Sequence, residues 1–547
     1  MLGLMSTNSA AVPIDIIKTA LPIGIGLASA AFITIKMANQ YGDNSDKSIP
    51  TARIRAGDTT HDAEHNEDVD KFLTRCEEEC GPVFNLRILN QHLIAVSGSY
   101  AREVLMSPDM SFSDAMDDAT GMRSFIESAI KSNKDKDSRL SHEVIRDAIT
   151  PNLPLFTPRI VGLLQSILQE KVGHCEDKLI EHPMEVIQDM IASAMANVFM
   201  GPEIGKERKV VDAFIECTYD FGKVIGESTK SFWHSITNRA RYGVFNPLQK
   251  HIQVLVDVAT PVVLERRRQE AEAVEKGIEY DRPMDILQKL LDNVDKYGFI
   301  DMHDICGHIL LIVLASVHTT SDSATNLCFY LAAFPEFHEP LYEELQEVLG
   351  QFAKEREEER QRKLASGEVA SMEAFAGTEL DPEHDQDISA PVVKKLVKMD
   401  SFVREIFRYR SERLQLVHMA RGDMVLSNGM RISKGQKAVI NMHSVHQNNS
   451  KQVGDEDVSV FYPWRFVGKA KAATKASGDY LAFGMGKHAC PGRFLAVQEI
   501  KTVGVLMVSR YSKIRIQDPS KQKRILVSRI GDPVPTGLIF TSRTADK

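Results

Sequence analysis

The chain has 547 residues, 43% of them hydrophobic and 26% charged, and carries a formal net charge of −9. That is ample apolar material for a large core, and the acidic balance gives no hint of a nucleic-acid partner, so none is expected. Seven scattered cysteines (Cys76, Cys80, Cys175, Cys217, Cys306, Cys328 and Cys490) are an odd count in a long chain, which argues against a disulfide framework. Cys76 and Cys80 have no second pair at zinc-ligand spacing.

Residues 1–18 form a short tail. Residues 19–35 are uncharged and mostly apolar between Lys18 and Lys36, the lower end of the length needed to cross a bilayer. Pro22 falls in the first turn, where a helix tolerates it. Ala28-Ser29-Ala30 also fits a signal-peptide cleavage site, but the preceding tail carries one lysine and one aspartate and is not basic. The expectation is an uncleaved single-pass anchor, although flanking charge alone does not set its orientation. Residues 36–70 are polar and are expected to link the anchor to one domain over 71–547.

In that domain, 83–88 and 93–96 around Asn90-Gln91 predict a hairpin. From Ser97 to Leu414 the pattern is mainly helical. His142 and Arg146 stand four apart in one such stretch. Residues 305–334 predict one long helix, with Ala315-Ser316-Val317-His318-Thr319-Thr320 at its centre and Ala315 and Thr319 on one face. Residues 351–390 are charge-dense and predict a solvated surface insertion. A helix over 393–409 puts Glu405 and Arg408 on one face. Short strands follow at 425–426, 430–432 and 438–440 about an Asn428-Gly429 turn. Then come Pro463-Trp464-Arg465-Phe466 and, at 483–492, F-x-x-G-x-x-x-C-x-G running into a helix from Arg493. A last hairpin is expected from 524–528 and 538–540 around residues 533–537. The fold class read from this is mainly α with small β-sheets.

The 483–492 loop sets one cysteine at a helix N-terminus among glycines. Backbone N–H groups and the helix end should lower its pKa and hold Cys490 as thiolate, and a thiolate so placed is an axial ligand for haem iron. Phe483, Gly486 and Gly492 shape the turn. The pattern resembles the haem loop of the cytochrome P450 family, and the remaining motifs follow in that family's order over about 72–540.

The resemblance implies the cytochrome P450 fold, haem b with Cys490 as the iron's protein ligand, and electrons from a separate NADPH-dependent reductase, with cytochrome b5 as a second donor. It implies an endoplasmic-reticulum anchor with the domain facing the cytosol. Glu405, Arg408 and Arg465 would be a buried structural cluster. Arg146, Arg421, His488 and His142 would meet the haem propionates, His142 replacing the family's tryptophan. Ala315 would leave room for dioxygen and substrate, and Thr319 would bond a backbone carbonyl or hold a proton. Ser316 replaces the usual glycine and His318 the usual acid; a histidine can also relay protons, and the alternative is that His318 packs against a neighbouring helix. Lys487 and Arg493 would lie on the reductase-docking face. The pocket would take Phe112, in a loop before the Arg146 helix, with Leu311, Leu314, Leu416, Val417, Val534 and Thr536, a lining suited to a lipophilic molecule.

Three classes compete: a monooxygenase, a dioxygen-independent haem-thiolate isomerase or dehydratase, and a haem-based sensor. Thr319 beside the thiolate loop favours the first. The histidine variant, familiar among fungal members acting on terpenoids, suggests a terpenoid or related secondary-metabolite scaffold, with a polyketide, indole alkaloid or fatty acid as alternatives.

Overall fold

The computed structural model describes residues 49–88, 91–130, 139–228, 246–366, 388–411, 413–448, 452–454, 456–526 and 536–543. The expected anchor at 19–35 lies outside the described residues. The chain is mostly helical with small sheets. Eleven helices frame the site and its support: α1 Gly98–Met106, α2 Phe112–Thr120, α3 Arg139–Val144, α4 Leu153–Lys171, α5 Pro183–Met200, α6 Arg208–Ser228, α7 Leu248–Lys276, α8 Met302–Ala333, α9 His338–Ala365, α10 Val397–Tyr409 and α11 Arg493–Arg510. The strands are β1 Val83–Ile88, β2 Gln91–Val96, β3 Met110–Ser111, β4 Lys178–Ile180, β5 Leu414–Ala420, β6 Met424–Val425, β7 Arg431–Ile432, β8 Lys437–Asn441, β9 Tyr511–Ile516 and β10 Leu538–Ser542.

Helix α8 is the spine. Asp301 caps it by accepting from the Asp304 amide at 2.9 Å, and Pro335 follows its last residues. It is long and apolar enough to cross a membrane, but α5, α6, α7 and α11 pack around it and bury most of its side chains. Apolar burial of this extent is the main source of stability. The five-stranded sheet runs β1-β2-β8-β5-β3. β1 and β2 pair antiparallel in register Val83↔Val96 to Ile88↔Gln91, and β2 pairs parallel with β8. β9, β10 and β4 form a second sheet, and β6 pairs with β7.

Four expectations are corrected. The linker does not extend to residue 70: Ile49 and Ala52 are buried, and Thr51 bridges Asn85 at the edge of β1. Apolar side chains within the polar stretch find the sheet. The surface insertion does not begin at 351, because α9 continues to Ala365 on i,i+4 pairs such as Lys363–Glu359 at 2.8 Å; residues 367–387 lie outside the described residues. The helix expected over 393–409 is two helices, Ala390–Lys395 and α10, broken at Leu396. Glu344 of α9 accepts from the amides of Lys398 and Met399 (2.5 and 3.0 Å), capping α10 from another helix. Finally, 524–528 is not a strand. Asp518 caps the Ser520 amide, Pro519 starts a helical turn, and the chain is helical at Gln522–Leu526. The antiparallel partners of β10 are β9 and β4.

Candidate active site

Three segments meet at one cavity of about 920 Å³: the middle of α8, the start of β5 and the loop before α11. The loop folds back on itself through a hydrogen bond from the Cys490 amide to the Phe483 carbonyl at 2.8 Å. Gly484 and Gly486 both stand at φ +67°, where a side chain would be strained. A Cβ on Gly486 would also sit 2.6 Å from the Met106 sulfur of α1. Phe483 packs on Phe407 of α10, ring centroids 5.2 Å apart. Gly492 has an ordinary φ of −79° and leads into α11.

Cys490 lines the cavity, and its sulfur takes hydrogen bonds from the amides of Gly492 and Arg493. The expectation of a lowered pKa is corrected here. Burial outweighs these amides and the Arg493 charge, so the thiol is pushed up. A bound metal, which deprotonates a coordinating thiol, would supply what the helix end does not.

Ala315 and Thr319 of α8 face the same cavity, and the Thr319 hydroxyl donates to the Ala315 carbonyl at 2.8 Å. The Ser316 hydroxyl is turned to the Val313 carbonyl at 3.4 Å. His318 is half-buried and is not on the cavity wall. Further along α8, Thr320 and Ser323 reach the wall.

His142, Arg146, Arg421 and His488 all reach the wall. Arg146 sits in a π-helical turn, Ile145–Ile149, and pairs with Asp147 at 2.7 Å. Arg421 pairs with Asp114 of α2 at 2.6 Å. The His488 Nε2 lies 3.2 Å from the Met110 carbonyl. Two groups missed in the sequence join them. His418, buried on β5, stacks edge-on to His488 with centroids 5.0 Å apart. Its Nδ1 binds the Leu416 carbonyl at 2.6 Å, while its Nε2 has no partner. Burial, with His488 and Lys487 nearby, brings its pKa down to about 4. The second is Arg410, at the end of α10, which lines the cavity and pairs with Asp322 of α8 at 2.8 Å with both side chains buried. An alternating H-x-x-R at 418–421 was the available signal for the histidine; nothing local announced the Asp322 pair.

Of the pocket candidates, Phe112 and Leu416 line the cavity. Phe112 is the first residue of α2, not part of a loop, because Ser111 caps that helix through the Asp114 amide. Leu311, Leu314, Val417 and Thr536 are not on the wall. Leu314 packs into the main core, Val417 into the cluster beside β1, and Thr536 accepts from the Asp518 amide. Val534 lies outside the described residues.

Behind the site, Glu405, Arg408 and Arg465 form one fully buried cluster. Arg408 meets both Glu405 oxygens (2.7 and 2.8 Å), and the Arg465 Nε meets Oε1 at 3.2 Å. The remaining guanidinium donors reach the carbonyls of His446, Glu456 and Asp457, which fixes the chain running towards the loop. Lys487 is exposed with its amine 3.1 Å from the Pro108 carbonyl, and Arg493 donates to the Cys490 carbonyl at 2.7 Å.

Glu499 of α11 is fully buried with neither carboxylate oxygen partnered, so burial alone raises its pKa well above the usual range. The folded state holds this proton and the unfolded state releases it above its ordinary pKa, so Glu499 costs stability increasingly as pH rises. Glu499→Gln should therefore raise the urea midpoint at pH 8, with the gain shrinking toward pH 5; a gain independent of pH would contradict this.

The donor set suits a haem. A single cysteine sulfur faces the cavity, and histidines and arginines cluster on its wall with one buried ring nitrogen unpaired. Among the described residues no group of three or more metal-ligating side chains converges on a point, so one protein ligand with a macrocycle fits better than a bare ion. The family model for Cytochrome P450 matches residues 59–364 and 380–530. Among curated relatives, cytochrome P450 monooxygenase AtmP of Aspergillus flavus is 27% identical over 67% of this chain and 65% of its own length. The corresponding paxP of Penicillium paxilli is 26% identical over 74% and 73%, and janP of Penicillium janthinellum 24% over 81% and 78%. With its Cys490 loop, its α8 face and this match over most of its length, the chain belongs to the cytochrome P450 family.

Proposed function

We propose that this cytochrome P450 monooxygenase inserts one atom of dioxygen into a lipophilic small molecule of terpenoid type, using electrons from a separate NADPH-dependent flavoprotein reductase. The observation that carries the reading is that Cys490 and the Ala315–Thr319 face of α8 line the same cavity. Cys490 would hold the haem iron through its sulfur, and His418, His488, His142, Arg146 and Arg421 would meet the haem carboxylates. When bound, haem with a thiolate ligand supplies the redox centre at which dioxygen is activated.

The chain's own residues supply the rest. Ala315 leaves space beside the helix. Thr319 holds a hydroxyl proton on the Ala315 carbonyl, from which it can turn into the cavity. Phe112 and Leu416 give apolar surface that selects a lipophilic substrate and excludes water. His318, one residue from Thr319, is proposed to relay protons from behind the wall. Residues 19–35 are proposed as the endoplasmic-reticulum anchor, with the domain facing the cytosol and Lys487 on the face that meets the reductase and cytochrome b5. Deleting residues 1–36 should release the protein from microsomes with its haem spectrum intact.

Thr319→Ala tests the chemistry. With reductase present, NADPH should still be consumed while hydrogen peroxide replaces oxygenated product; unchanged coupling would remove Thr319 from the mechanism. His318→Phe should likewise lower coupling without changing haem content, and coupling equal to wild type would remove the relay.

A further inference from the structure

The start of β5 is irregular where it meets the cavity. Gln415 pairs with Ile440 of β8 and His418 with Ala438, so Leu416 and Val417 together oppose one residue. Leu416 takes φ +56°, one of three non-glycine residues with positive φ among the described residues. A branched side chain there is strained and persists only where the surroundings impose it. In a regular strand, neighbours point to opposite faces. The bulge breaks that rule: Gln415 and Leu416 both line the cavity, while Val417 turns into the core beside β1. The strain thus brings an amide, and not only an apolar side chain, to the wall.

Gln415 does not stand alone. Ser411, four residues earlier, also lines the cavity, and its buried hydroxyl has no hydrogen-bond partner. A buried hydroxyl without a partner is costly unless something else satisfies it. Arg410, the residue before Ser411, lines the same cavity, and its charge is balanced by Asp322 at 2.8 and 3.3 Å. Asp322 is held in turn by Asn326, whose amide donates to its carbonyl at 2.7 Å. This part of the wall is therefore polar but electrically neutral, unlike the part where Arg146, Arg421 and the histidines cluster.

We infer that Gln415 and Ser411 form a hydrogen-bonding anchor for a neutral oxygen of the substrate, a hydroxyl or a ketone, and so determine which carbon is presented for oxidation. Resting on the monooxygenase reading above, the anchor narrows the substrate class to a lipophilic scaffold that already carries an oxygen. An earlier oxygenation or cyclisation step that leaves a hydroxyl or ketone would supply it. A carboxylate is disfavoured because Asp322 already neutralises Arg410. A site built to bond an oxygen rejects the analogue lacking it, because its polar groups are then left unpaired.

The test uses the full-length holoprotein and paired probes: abietatriene with its hydroxylated form ferruginol, and androstane with androstan-3-one. Dissociation constants are read from the shift of the ferric haem absorption. In at least one pair, wild type should bind the oxygenated member about 10-fold more tightly, the worth of one hydrogen bond in a desolvated site. Gln415→Met, close in shape and apolar, should bring that pair within about 3-fold without weakening the hydrocarbon. Ser411→Ala should narrow the same pair independently. Equal binding of both members by wild type in every pair would overturn the anchor, as would a Gln415→Met variant that weakens both members equally or keeps the discrimination. The reduced carbon monoxide spectrum separates the two readings. If wild type lacks the haem-thiolate band, the monooxygenase reading fails; if the band is present and discrimination is absent, only the anchor fails.

Discussion

Cys490→His should abolish the red-shifted carbon monoxide band that marks thiolate-ligated haem, and with it all oxygenation. Cys490 is the cysteine that lines the cavity, and its loop turns two amides to its sulfur. Cys76, Cys306 and Cys328 are buried in apolar packing that pushes their thiols up to about 12. Such thiols are inert packing groups. No second cysteine can take over, and an imidazole at 490 changes both the donor and the electron density it lends. A variant that keeps the red-shifted band would show that the ligand is elsewhere.

Breaking the cluster behind the site should have the largest effect on stability. Glu405→Ala would leave the Arg408 and Arg465 guanidinium groups, both inaccessible to solvent, facing each other without their shared carboxylate. Removing one partner of a buried pair costs about 3–5 kcal/mol, far more than a surface ion pair contributes. The urea midpoint of the holoprotein, followed by haem absorption, should fall accordingly. Arg408→Lys should recover little, because an ammonium cannot make the two-pronged contact at 2.7 and 2.8 Å while also reaching the His446 carbonyl. A Glu405→Ala protein with an unchanged midpoint would show that the cluster is incidental to the fold.

Much of the site was legible because its geometry is local. The loop at 483–492 encodes its own turn through glycine spacing, and the Ala315–Thr319 face follows from helical period alone. What escaped depends on contacts distant in sequence. Arg410 meets Asp322 across the packing of α10 on α8, and no spacing rule links them. The break at Leu396 comes from Glu344 on a different helix. The bulge in β5 sends Leu416 to the cavity and Val417 away from it, so two residues placed together by sequence reading part company. The thiol of Cys490 departs from its sequence expectation for a related reason: amides and a helix end are visible in sequence, whereas the burial that outweighs them is not.

Incorporation of an atom of dioxygen into a lipophilic substrate is the activity proposed for this chain. Its most direct test supplies isotopically labelled dioxygen and NADPH to microsomes carrying the full-length protein and a reductase, with the lipid extract of a strain lacking the gene as substrate. The expected product is one labelled oxygen heavier than a consumed component and is absent from the Cys490→His control. A product formed without labelled oxygen, or formed equally without dioxygen, would contradict it.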